Sequence, residues 1–326
     1  MNLVKRLAAI WLLACAGAFP ALAQQAEKWP EKPVHLIVPF ASGGSTDLIA
    51  RQIALELSKR IGQPVIVENK AGASAMIGTG YVAKQPGDGY TLMMGTVSTH
   101  AMAPAVFANV PYDIVRDFTP ITIVGSIPDL IVVGPQFPAN NLAEFIAMAK
   151  ANPGKITYAT AGNGTSSHLG SAYFAAEAGV EMNQVPYKGS GPALLDVMGG
   201  HVDMMLDVIM TSLEPYKAGR LKALAVTAPK RSPLLPDVPS TREFGLKDFE
   251  ASIWFAILGP ANMPVALQNR IAGEINAVLN APDMRTFMLK QGLEVEASGP
   301  GPLAALIQSD TAKWARVVKF AGIQPE

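Results

Sequence analysis

The chain has 326 residues, 26 basic against 26 acidic side chains, 49% hydrophobic residues and one cysteine. That charge balance lacks the basic stripe that nucleic acid or an anionic membrane surface requires, so no nucleic-acid partner is expected. Only 16% of residues are charged and 29 are glycine, which excludes a coiled coil or a disordered chain and leaves a compact protein of roughly two domains.

Residues 1–23 read as a secretory signal. Lys5 and Arg6 precede an apolar stretch over residues 7–19, and Ala21-Leu22-Ala23 supplies the small-x-small ending that signal peptidase reads. The stretch is shorter than the ~20 residues of a membrane-spanning helix, so cleavage after Ala23 and export to the periplasm are expected. Cys15, in Leu12-Leu13-Ala14-Cys15, loosely fits a lipoprotein box. Cleavage there would leave an apolar tail over residues 16–23, whereas cleavage after Ala23 starts the mature chain on polar Gln24-Gln25. Export in this way also removes the cysteine, which excludes thiol nucleophiles, thiolate zinc sites and CxxC redox chemistry.

The mature chain opens with an apolar run over residues 35–40, of the kind a buried parallel strand shows. A glycine-rich turn follows, and Ser45-Thr46-Asp47 starts a helix whose Ile49, Ile53, Leu57 and Ile61 recur at helical spacing up to the stop signal Gly62. The same grammar gives strands over 64–67, 90–94 and 121–124, the last separated by Pro128 and Asp129 from a further strand at 130–133. A helix over 142–151, a strand at 156–159, a helix ending at Gly179, a strand at 184–186 and a helix over 192–198 come next. Strands at 202–206 and 223–226, a Pro-rich connection over 229–239 and a strand at 253–258 precede helices over 264–279, 282–291 and 302–320. Alternation of this kind predicts an α/β fold.

One internal echo points to a site. Gly44-Ser45-Thr46 and Gly164-Thr165-Ser166 each close a strand and open a helix. Two such helix starts facing one cleft would present free N–H groups, hydroxyls and the positive ends of two helix dipoles to an anion; each alone is equally an ordinary N-cap. Other chemistry finds little support. No GxxxxGK[ST], HExxH or GxSxG occurs, Gly162-Asn163-Gly164 lacks the third glycine of a dinucleotide fingerprint, and the histidines are too scattered for a metal site, so no cofactor or metal is expected. His168 follows Ser166 and Ser167, but neighbours at a helix start diverge in direction, which favours a ligand-facing or capping histidine over a catalytic base. Asp203 and Asp207, four apart on a strand, can face one side.

Several segments together resemble the substrate-binding proteins of tripartite tricarboxylate transporters, the Bug family. They include residues 39–47 (PFASGGSTD), 63–69 (QPVIVEN), 88–92 (DGYTL), 94–96 (MGT), 163–165 (NGT), 185–189 (VPYKG), 220–227 (RLKALAVT) and 235–239 (LPDVP). The resemblance runs over nearly the whole mature chain. It implies a type II two-lobe periplasmic binding fold, each lobe a mixed, mostly parallel sheet flanked by helices, with the ligand cleft between them. Lobe one would hold residues 24–125 plus 227–326, and lobe two residues 126–226. It further implies a monomer that holds a small organic carboxylate through backbone N–H groups, hydroxyls and water and hands it to integral membrane permease subunits, without catalysis.

On that basis the first helix start would contribute Phe40, Ala41, Gly43, Gly44, Ser45, Thr46 and Asp47 to ligand binding, and Thr96 and Ser98 would line one wall. Ala161, Gly164, Thr165, Ser166 and His168 would come from the second helix start, with Lys188 and Asp207 completing the set. Asp207 matches an acidic position of the family, whereas Val208 stands where relatives often carry Asn. An acidic side chain in such a pocket repels a simple dianion and attracts an ammonium or accepts a hydroxyl, so Asp207 is expected to bias the site toward amino or hydroxy acids. Two rival functions share these residues: a ligand-sensing periplasmic protein of the same fold that feeds a signalling receptor, and a periplasmic serine hydrolase using Ser166 or Ser190.

Overall fold

A computed structural model describes residues 28–247 and 249–324; the predicted signal segment lies outside them. The chain begins as β1 (Val34–Val38), α1 (Ser45–Ile61), β2 (Val65–Asn69), α2 (Met76–Ala83) and β3 (Thr91–Thr96). Strands β1 and β2 pair in parallel, as do β1 and β3, because each is followed by a crossover that returns the chain in the same direction. A π-helical turn (Ser98–Met102) and the short α3 (Ala103–Val106) lead to β4, Phe118–Val133.

The 16 residues of β4 form one continuous strand where the sequence predicts two. Its first part, up to Pro128, pairs antiparallel with β9 (Ser252–Pro260), which also pairs with β3. From Asp129 onward it pairs instead with β7 (Met204–Val208) and β8 (Lys222–Val226). Pro128 and Asp129 therefore mark a change of partner rather than a break. Pro128, which has no N–H to give to a ladder, falls at the junction between the two sets of partners.

The second sheet is completed by β5 (Thr157–Thr160), parallel to both β6 (Asn183–Pro186) and β7. Its helices are α4 (Leu142–Ala151), α5 (Ser166–Ala178), α6 (Ser190–Met198) and α7 (Ile209–Lys217). Helix α7 has no counterpart in the sequence prediction: it starts directly after β7 with no glycine or polar turn, and Pro215 lies inside it. The chain then makes an excursion over residues 228–250 and returns along β9. That excursion packs Leu246 and Phe249 into the second core beside Phe145 and Phe174. Helices α8 (Val265–Leu279), α9 (Pro282–Lys290) and α10 (Pro300–Phe320), with the two-residue β10 (Glu294–Val295) on β4, finish the first sheet's layers. Among the described residues no helix is long and apolar enough to cross a membrane.

Where the chain passes between the sheets, three segments bond in a ring. The Asp129 N–H donates to Ala251 O (3.3 Å), the Ala251 N–H to Thr227 O (3.2 Å) and the Thr227 N–H to Asp129 O (2.9 Å). The buried Thr227 hydroxyl lies 2.9 Å from Asp129 O and 2.6 Å from Ala251 O, so its one proton serves the same two carbonyls.

Candidate functional site

The loop between β1 and α1 is shaped by Asp47. Its Oδ2 accepts from the Gly43 N–H (3.0 Å) and from Arg51 Nε (3.0 Å), while Oδ1 accepts from Asn69 Nδ2 (2.9 Å). Asn69 Nδ2 also reaches Phe40 O at 3.1 Å. Burial raises the Asp47 carboxyl, but Arg51, Gly43 and Asn69 outweigh it and hold the group below the usual carboxylate range. Gly43 sits at φ +86°, which a residue with a Cβ rarely adopts. Gly44 caps α1 without a side-chain bond to its N–H groups, so the first turn stays open to a ligand.

Opposite it, β5 ends in the turn that opens α5. The Ser167 hydroxyl accepts from the Ala161 N–H (2.8 Å), the Thr165 hydroxyl donates to Gly162 O (2.6 Å), and the Gly164 N–H donates to His168 Nδ1 (3.0 Å). With Nδ1 an acceptor, the neutral imidazole carries its proton on Nε2, which leaves neither nitrogen a free lone pair to activate a serine. The cap residue Thr165 makes no side-chain bond to the α5 N–H groups. The two loops meet through Ser98 of the π-helical turn, whose Oγ accepts from the Ser166 N–H at 2.9 Å. They also meet at Gly44, where a Cβ would stand 2.9 Å from Ser190 Oγ. A Cβ there would have to push the Ser190 hydroxyl aside, because the halves of the cleft touch backbone to side chain.

Between these loops lies a cavity with about 40 Å³ of space for water centres, room for about three waters or one small ligand group. Its wall carries Phe40, Ala41, Gly44, Ser45, Thr46, Thr96, Ser98, Ala161, Thr165, Ser166 and Asp207 of the sequence-predicted set. Four helices, α1, α5, α6 and α7, place their first residues or caps on it, through Ser45, Ser166, Ser190 and Val208. Their dipoles add a positive potential with no basic side chain in the wall. Thr96 Oγ1 is buried and has no hydrogen-bond partner. A polar atom in that state at a cavity wall is a donor held ready for a ligand or water.

Asp207 is the one ionisable side chain lining the cavity among the described residues. Thr211 Oγ1 and Ser212 Oγ both donate to its Oδ2 at 2.6 Å, leaving Oδ1 without a side-chain donor. Burial raises this carboxyl to about 6, against the pull of the two hydroxyls. Behind it on β4, Asp129 is fully buried with Oδ1 unpartnered, and burial together with the Asp207 charge pushes its carboxyl well up.

Five predicted residues stand off the cavity wall. Asp47 and Gly43 hold the first loop, and Gly164 and His168 hold the second. Lys188 is exposed beside a neighbouring chamber of about 230 Å³ that shares Phe40 and Ala161 with the cavity. The sequence set omits Ser167, Ser190, Met205, Leu206, Val208 and Ile253, all of which line the cavity. For Ser190 a signal exists: Gly189-Ser190 repeats the glycine-hydroxyl helix start already noted twice. Asp203 does not join Asp207; its Oδ2 accepts from the Thr157 N–H and hydroxyl at 2.8 and 2.9 Å. Among the described residues no group of three or more His, Cys, Asp or Glu is placed to hold a metal ion.

The model of the family described as "Tripartite tricarboxylate transporter family receptor" matches residues 49–323. The chain belongs to this family. The receptor is 35% identical to Protein BugT of Bordetella pertussis, over 99% of each chain. Among solved structures it resembles Rpa4515 of R. palustris, recorded with adipate, at TM-score 0.89 and 35% identity over 91% of the receptor and 100% of that chain. MatC of Rhodopseudomonas palustris, recorded with bound malate, matches at TM-score 0.85 and 34% identity, over 89% and 100% of the two chains. The two-sheet architecture is that of periplasmic binding proteins.

Proposed function

We propose that the receptor is exported through its N-terminal signal, captures a small organic carboxylate in the cavity between its sheets and delivers it to permease subunits in the membrane. The observation that carries this reading is the composition of the wall. Four helix N-termini and a ring of serine and threonine hydroxyls converge on one buried space, with the Thr96 hydroxyl unpartnered. Such a surface neutralises a carboxylate with dipoles and hydrogen bonds and releases it without breaking a salt bridge. The adipate and malate of its two relatives support the ligand class.

In this reading the sheets are lobes that close over the ligand by hinge motion. The boundaries read from sequence put residues 24–125 and 227–326 in one lobe and 126–226 in the other. The packing of Leu246 and Phe249 favours counting the excursion over 228–250 with the second lobe, so that the hinge falls at Asp129 and Ala251. Serine hydrolysis gains no support from His168, whose Nδ1 is occupied by the Gly164 N–H.

Release of the co-purifying compound under denaturing conditions, its identification by mass and a thermal-shift panel of carboxylates test the reading. At a hundredfold excess over Kd, binding adds about 2.7 kcal/mol, a rise of a few degrees in Tm. A released acid that raises Tm and is recovered unchanged supports it. A panel without any shift, or an acid consumed on incubation, overturns it.

A further inference from the structure

The cavity wall that gathers hydrogen-bond donors also contains one acid, and among the described residues that acid has no cation beside it. On the elements packed against β7, Tyr158 is a buried phenol, and Asp196 accepts from the Tyr187 hydroxyl. Glu214 and Lys217 pair with each other, and Glu177 lies near the far end of α5 from the cavity. The His168 imidazole accepts from the Gly164 N–H. That leaves Asp129, one strand away in register with Val208, as the group whose charge state is tied to Asp207. Asp129 is buried without a donor on Oδ1, so burial favours its neutral form, and in neither state does it offer Asp207 a positive charge.

Asp207 lines the same cavity as the four helix starts, so a carboxylate group held by those starts lies in the space that Asp207 faces. A ligand carboxylate and an ionised Asp207 would then share one buried space, which like charges do not tolerate. Two relief routes exist. The ligand brings an ammonium group that the Asp207 carboxylate accepts, or Asp207 takes a proton from solvent and donates it in a hydrogen bond.

We propose, resting on the carboxylate-capture reading, that Asp207 couples capture to protons: an acid without an ammonium group is bound with uptake of one proton at Asp207, and an α-amino acid is bound without it. The free carboxyl already stands at about 6, so a neighbouring anion raises it further and it takes its proton from solvent at pH 7. The hydroxyls of Thr211 and Ser212 can rotate to accept as well as donate, so the protonated form keeps partners.

The test is calorimetric titration of the mature protein with succinate and with L-aspartate at pH 7, each in two buffers of different ionisation heat, so that the protons exchanged are read directly. The expected result is uptake close to one proton with succinate and close to none with L-aspartate. The Asp207→Asn protein is expected to bind succinate with no uptake and at least tenfold more tightly than the unmodified protein does. Zero uptake with succinate in the unmodified protein overturns the inference whether or not the variant folds, as does uptake that persists in Asp207→Asn. Where neither probe binds but a longer donor-free acid does, the same measurement is made with that acid, and zero uptake overturns the inference while capture stands. Where no acid binds, the capture reading and this inference fall together.

Discussion

Asp47 and Asp207 are both buried carboxyl groups beside helix starts, and their surroundings drive them in opposite directions. Asp47 is surrounded by a guanidinium, an amide and a backbone N–H, and its charge organises a loop. Asp207 has two hydroxyls and no cation, and its charge faces the cavity. The difference shows that burial alone does not assign a role to an acid. What matters is whether the protein has supplied the countercharge or left it to the ligand.

Replacing Asp47 by Ala gives the largest expected effect. It leaves Arg51 and the Gly43 N–H without their acceptor and costs about 3 kcal/mol in denaturant unfolding. Ligand binding should go with the loop, and an Asp47→Ala protein as stable as its parent would erase the contrast. Slightly smaller is the pH signature, which has opposite signs at the two acids. The Asp207 value rises from 3.8 to about 6, so its contribution is fully present below the ordinary value and lost as pH rises through 6, about 3 kcal/mol at most. Asp47, held low, contributes above its ordinary value and loses that contribution as pH falls. Unfolding of the protein from pH 4 to 8 should therefore show a decline that Asp207→Asn reduces, with Asp129 supplying the remainder, and that Arg51→Gln leaves in place.

Gly44→Ala sharpens the comparison at the cleft. The backbone at φ −83° accepts a Cβ, but the methyl meets Ser190 Oγ. Affinity should fall about tenfold by titration, some 1.4 kcal/mol, with a smaller loss of Tm from the weaker cap. The smallest effect is expected from Thr96→Val. It removes a buried hydroxyl that has no partner among the described residues, so stability should stay within about 0.5 kcal/mol while ligand affinity drops several-fold. A valine protein that binds unchanged would show that Thr96 Oγ1 serves water alone.

Much of this was legible in the sequence where local signals decide. The glycine turn and the apolar spacing of Ile49, Ile53 and Leu57 specify α1 without help from the rest of the chain. The paired helix starts at Gly44 and Gly164 were visible because the same chemistry recurs at the same place in a strand-turn-helix unit. The continuity of β4 was not, since a Pro-Asp pair reads as a stop and only the exchange of partners from β9 to β7 makes it a crossing. The state of Asp207 was hidden for a related reason. Its donors come from α7, which no turn residue announces, and its lack of a cation depends on every neighbouring element. The bond from the Gly164 N–H to His168 was hidden as well, since it appears only once the turn closes.

The ring joining Asp129, Thr227 and Ala251 has a mechanical meaning. Each link is a backbone bond between neighbouring residues at one level, so under the proposed lobe closure a rotation of the two halves about that level would leave all three intact. Such a pivot would fix the axis of opening and contribute little torque. Resistance to opening would then come from the rim, where Ser98 meets Ser166 and Gly44 meets Ser190, and from whatever occupies the space beneath. A receptor built this way can change its cargo by altering the rim and the wall while the axle stays as it is.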